Sequence, residues 1–198
     1  MNVFWDLVEQ ARADAVDDGV WPSGSAIGAA LVERLAPQPL DEIVGFHRCF
    51  LRCVGRANTW DLCAAAFVIW GYISDDGFSD FKAGLVVLGR DAFERFVTDA
   101  DALADLPLVQ AVAAGRTERF VLSAEAVQYV AAQAYERRTG DAEAFWGALD
   151  SLPDDQECEP TTGERWSGRF GRPEDAARIP VRLPRLHELF AARVAGDR

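Results

Sequence analysis

The stretch ANTWDLCAAAFVIWGYISDDGFSDFKAGLVVLGR, residues 57–90, decides how this chain reads. It opens on Trp60-Asp61, crosses an apolar run from Cys63 to Trp70, reaches Ser74-Asp75-Asp76-Gly77-Phe78 and closes at Gly89-Arg90. Thr59 is placed to cap a helix through the apolar run, since a hydroxyl ahead of a helix accepts a free amide of its first turn. Gly71 ends that helix. Ser74 or Asp75 caps a second helix, with Phe78, Phe81, Leu85 and Leu88 inward and Gly89 as its stop. If residues 71–74 form a turn, the two helices make an antiparallel hairpin. On one straight helix Asp61 and Asp75 would stand roughly 21 Å apart, at ~1.5 Å per residue. In a hairpin Asp61 instead falls near Arg90, its expected ion-pair partner.

The flanking sequence is helical in the same way. Phe4, Leu7, Val8, Ala11 and Ala15 form one apolar stripe between Val3 and Asp17. Ser25 is the expected cap of a helix carrying Ile27, Leu31 and Leu35. A further helix from about Asp41 carries Ile43, Phe46, Phe50 and Val54. Shorter helices are expected at Asp91–Val97 and after Pro107. Ser123 is expected to cap a helix running to Arg138, with Gly140 as its stop. Another spans Asp141–Leu149, docked by Phe145 and Trp146. Residues 152–184 are rich in proline and show no period, so they read as a long loop pinned by Trp166 and Phe170. Trp166 is a candidate lid. A last helix covers Leu186–Val194. No strand pattern emerges. The expected fold is all-α: a single multi-helix domain over 1–198, with a central antiparallel helix hairpin and a long C-terminal loop.

The balance of 32 acids against 20 bases gives a net charge of −12 over 198 residues. Phosphate backbones and anionic membranes are bound mainly through basic residues, so neither nucleic acid nor membrane is an expected partner. The longest apolar run, Cys63–Trp70, falls well short of the ~18 residues of a spanning helix. The opening MNVFWDLVEQ lacks the basic start of a signal peptide, which points to a cytoplasmic protein. In that compartment Cys49, Cys53, Cys63 and Cys158 are expected as free thiols.

The central segment resembles the bacterial family called domain of unknown function 4240. The resemblance rests on Trp60-Asp61-Leu62, Ala65-Ala66-Phe67-Val68-Ile69, Ser74-Asp75-Asp76-Gly77-Phe78, Phe81 and Gly89-Arg90. Phe4-Trp5 with Ala11-Arg12 fits the family's start. Tyr129–Gly140, Gly163-Glu164 and Pro184-Arg185-Leu186 fit its second half. The resemblance implies a mainly helical bacterial cytosolic domain and supplies no catalytic residues. The chain is a divergent member. The family pattern has Trp-Gly near Cys63-Ala64 and Asn-Gly-Gly near Trp70-Gly71-Tyr72. It has an Arg and a following Trp where Lys82 and Gly84 stand here.

The acids and aromatics of the stretch form the candidate site. Asp75 and Asp76 are the candidate proton-transfer groups. Trp60, Asp61, Trp70, Tyr72, Ser74 and Phe78 are the candidate ligand contacts. Aromatic faces beside carboxylates suit a cation, and they raise a carboxyl pKa where they exclude water. Ordinary helix capping accounts for one first-turn acid better than for two. The adjacent Asp75-Asp76 pair does not fit the alternating acids of an EF-hand. The cysteine and histidine spacing fits no zinc pattern, so no metal ligands are assigned. GxSxG, HExxH, GxGxxG and P-loop motifs are absent, and no organic cofactor is expected. Two functional classes follow. One is binding or tailoring of a cationic small molecule or peptide in an acidic, aromatic pocket. The other is a non-catalytic interaction or regulatory module with an acidic surface. A deep cavity joining Asp75 or Asp76 to Trp60, Trp70 or Tyr72 favours the first; a solid core with solvated acids favours the second. The sequence leaves the oligomeric state open.

Overall fold

A computed structural model describes residues 2–16, 21–151, 163–167 and 173–196. Within them the chain is all-α. The helices are α1 Asn2–Asp14, α2 Gly24–Leu35, α3 Leu40–Arg56, α4 Trp60–Trp70, α5 Asp75–Val87, α6 Arg90–Thr98, α7 Pro107–Ala113, α8 Val130–Thr139, α9 Ala144–Asp150, α10 Pro173–Arg182 and α11 Pro184–Gly196. Two 3₁₀ segments, Ala100–Asp105 and Glu125–Tyr129, join them. Among the described residues the sole β-type pairing is an isolated antiparallel bridge between Thr59 and Arg165.

The quoted stretch lies at the centre of the core. In α4, Leu62, Cys63, Ala64, Ala65, Ala66 and Ile69 are all buried, as are Phe81 and Ala83 through Leu88 at the end of α5. A helix apolar on every side has to be surrounded. Accordingly α4 packs on α5, α7, α10, α11 and the Ala100–Asp105 segment, while α5 packs on α1, α2, α3, α6 and Glu125–Tyr129. The caps follow the sequence. Thr59 Oγ1 accepts from Leu62 N at 3.2 Å, and Ser74 Oγ accepts from Gly77 N at 3.0 Å. Gly71 ends α4 with φ +81°, a conformation open to glycine at little cost.

Three expectations are corrected. Ser23, not Ser25, caps α2, its Oγ accepting from Ala26 N at 3.1 Å. Gly24 then opens the helix where it abuts residues 123–124, and a Cβ there would come within 2.5 Å of Ser123 O. The helix expected from Ser123 is 3₁₀ up to Tyr129 and α-helical only from Val130. Contacts outside the helix hold its start: Ala124 N donates to Asp80 O at 3.2 Å, and Gly28 lies close against Ala126. Finally, the stretch read as loop contains α10. Pro173 begins it with Glu174 and Asp175 in the first turn, a strong start signal, and Pro180 falls inside its last turns. Residues 152–162 and 168–172 of the expected loop, including Cys158 and Phe170, lie outside the described residues.

Candidate functional site

The predicted site residues divide between the N-termini of α5 and α4. At α5, Asp75 and Asp76 are exposed, and no described residue pairs with either carboxylate. Tyr72 is 58% exposed, its hydroxyl donating to Ser74 Oγ at 3.3 Å. Trp70 is buried behind them. Its ring meets Phe81 and Phe120 edge-on, and its carbonyl accepts from Arg119 Nη1 at 3.0 Å. One turn on, Asp80 is half-buried and accepts from Gln128 Nε2 at 2.8 Å. Burial first, then the neighbouring charges of Glu125 and Asp76, push its carboxyl pKa up against the lowering effect of Gln128.

The α4 end is covered by the C-terminal part of the chain. Residues 163–167 run antiparallel to 58–60: Trp60 N donates to Glu164 O at 2.7 Å and Trp166 N to Asn58 O at 3.2 Å. The Trp60 ring is buried. Its Nε1 donates to the buried Asp175 carboxylate at 3.1 Å, and the Arg178 guanidinium lies over its face, 4.1 Å from the ring centroid. Arg182 is 5.5 Å from the same centroid and pairs with Asp61 Oδ2. Glu164 accepts from both arginines, so charges alternate Asp61–Arg182–Glu164–Arg178. The hydrogen bond from Arg178 holds the Glu164 carboxyl below its usual range. Asp61 therefore pairs with Arg182, not Arg90. Its helix end faces α10, which lies within the stretch expected to be loop.

Between the two ends lies Lys82, on α5 and buried. Its Nζ donates to Asn58 Oδ1 at 3.4 Å and sits 4.7 Å from the centroid of Phe78. Phe78 in turn meets Trp166 edge-on at 5.4 Å. Burial pushes the Lys82 amine pKa down. It also pushes the Cys63 thiol up to about 12, with Lys82 lowering it and Asp175 and Asp75 raising it. At neutral pH that thiol is protonated and inert.

The structure thus joins Trp60 to Asp61, and Tyr72 to Ser74, Asp75 and Asp76, while Phe78 belongs with Lys82. Trp166 packs against Phe78 as part of the covering segment. The residues that sequence reasoning missed are Asn58, Lys82, Glu164, Asp175, Arg178 and Arg182. The signal for Asp175, Arg178 and Arg182 was the helix-start pattern at Pro173-Glu174-Asp175, and for Glu164 the family resemblance at Gly163-Glu164. A cavity of about 310 Å³ lies elsewhere, lined by α1, α3 and the end of α2 through Phe4, Leu7, Leu35, Phe46 and Cys49. Among the described residues no three His, Cys, Asp or Glu side chains gather as metal ligands, and no helix is long and apolar enough to cross a membrane.

A family model described as "Protein of unknown function (DUF4240)" matches residues 1–137. The chain belongs to this family. The match takes in both helix N-termini of the site and stops within α8. Residues 163–164 and 184–186, which resemble the family's second half, lie beyond it. In this DUF4240 chain the covering segment and α10 therefore come from outside the matched region. No curated protein and no solved structure matches the chain.

Proposed function

We propose that this DUF4240 protein is a non-catalytic interaction module that presents the acidic N-terminus of α5 to a cationic partner. One observation carries the reading: Asp75 and Asp76 are exposed and pair with none of the described residues, whereas Trp60 and Trp70, the aromatics that would wall a pocket around them, are packed into the core. A general acid or base needs a carboxyl in a dehydrated place. Two solvated acids with Tyr72 beside them suit electrostatic docking better. The net charge of −12 supports the same reading by favouring encounter with a basic surface.

The test is titration with an oligolysine peptide, followed by NMR shifts and calorimetry at low and high salt. Asp75→Asn/Asp76→Asn should bind about tenfold more weakly, ~1.4 kcal/mol. The control Glu136→Gln/Glu143→Gln removes two exposed charges elsewhere and should bind nearly as the wild type does. Equal losses in the two variants would reduce the effect to net charge and sink the reading.

A further inference from the structure

Lys82 is the only lysine in the chain; every other one of its 20 basic residues is arginine. That single amine is only 9% exposed. No carboxylate among the described residues forms an ion pair with it. Its neighbours are Asn58 Oδ1, at a long 3.4 Å, and the Phe78 ring. A guanidinium in this place would stay charged at any accessible pH, whereas an amine can shed its proton. Burial without a counter-charge favours the neutral form, and a neutral amine carries a nucleophilic lone pair. The Cys63 thiol on α4, itself held protonated, acts electrostatically on the amine; Asp175 on α10 and Asp75 on α5 lie within electrostatic reach of that thiol.

We propose that Lys82 is a covalent binding site for a small aldehyde or ketone, held as an imine beside the Phe78 ring, which Trp166 backs. The Nζ lone pair attacks the carbonyl carbon. The C–O π pair moves to oxygen, which gains a proton as nitrogen loses one, giving a carbinolamine. Nitrogen then forms C=N as the C–O bond breaks: the departing hydroxyl takes up a proton and leaves as water, and nitrogen gives up its remaining proton. Amine and carbonyl give imine and water, with no oxidant or reductant. Asn58 is the positioning residue, accepting one Nζ–H and so orienting the lone pair. The Phe78 ring and the slight exposure of the amine restrict the ligand to a small, largely apolar carbonyl compound. This site is independent of the acidic-surface reading.

The experiment treats the full chain with propanal and cyanoborohydride at about pH 7.5, then compares label at Lys82 with label at the α-amino group by peptide mapping. An ordinary lysine, with pKa ~10.4, lags an α-amino group near ~7.7–8.0. Relative to the α-amino group, Lys82 should react faster in the folded protein than in urea, where the ordinary lag should return. Label at Lys82 only in urea, or with the usual lag in the folded protein, would overturn the proposal. Asn58→Asp places a carboxylate beside the amine and should slow labelling about tenfold at neutral pH, the two rates converging near pH ~10. An unchanged pH profile in that variant would also overturn it.

Discussion

Trp60 Nε1 donates a 3.1 Å hydrogen bond to Asp175 Oδ1, 115 residues further along the chain, and both side chains are buried. The bond fastens α10 to the first turn of α4. Arg178 then lies over the face of the indole as a cation. The ion pairs around it are partly exposed and contribute little singly.

Trp60→Phe keeps most of the ring area but removes the donor. A buried carboxylate that loses a hydrogen bond costs about 1–3 kcal/mol. The variant should lose that much stability by urea denaturation, with an unchanged slope. Trp60→Phe in an Asp175→Asn background should cost clearly less, because the buried charge is gone. Equal costs in both backgrounds would mean that the hydrogen bond is not what couples the two helices.

The pattern of success and failure in the sequence reading follows from the range of each interaction. Thr59, Gly71, Ser74 and Gly140 act within a turn of their own helices, so their roles were visible in local order. The apolar stripe of α1 likewise needs no partner to be recognised. The partner of Asp61 could not be read in this way. Arg90 was reached by counting along a hairpin, whereas Arg182 arrives from a helix that Pro180 had hidden. Asn58 and Lys82 meet only because residues 163–167 and α5 close on the same end of α4. Neither residue carried a motif.

Two helical glycines make opposite predictions. A Cβ on Gly84 would lie 1.7 Å from Leu122 O, where α5 passes against the backbone of that segment. Gly84→Ala forces backbone apart and should cost about 3 kcal/mol or more, or abolish folding. Gly45, inside α3, has nothing within 4 Å of the same position. Gly45→Ala should stabilise by about 0.5–1 kcal/mol, the ordinary helix preference for alanine. Thermal melts of the two variants check both signs.

His47 should govern the first loss of stability on acidification. It is buried, edge-on to Phe145 at 5.2 Å, and burial pushes its pKa below the ordinary 6.5. The folded state therefore binds its proton less readily than the unfolded state. Stability from this group is full above pH ~6.5 and falls as pH drops through and below that value. Glu94, lowered chiefly by its hydrogen bond from Arg56, acts in the same direction but only below its ordinary 4.5. Urea midpoints measured from pH 8 downward should thus decline in two stages. His47→Phe should remove the earlier stage and leave the later one. A wild-type protein with no decline until pH ~4.5 would show that the imidazole is not dehydrated.

Lys82 should be a stabilising position to neutralise. At neutral pH the folded state holds a buried amine with one long hydrogen bond and a ring contact. Where the amine is protonated, the buried ring contact is worth about 2 kcal/mol, less than the several kcal/mol that burying an unpaired cation costs. Its pKa is lowered in the fold, so the unfolded chain binds the proton more tightly. The penalty is present at pH 7 and fades as pH rises towards the unfolded value of ~10.4. Lys82→Met keeps the stem and removes the titratable amine. The variant should be more stable by about 1 kcal/mol at pH 7, with the advantage shrinking by pH ~10. Chemical denaturation at the two pH values measures this directly. A variant less stable at both would mean that the ammonium over Phe78 holds the fold together.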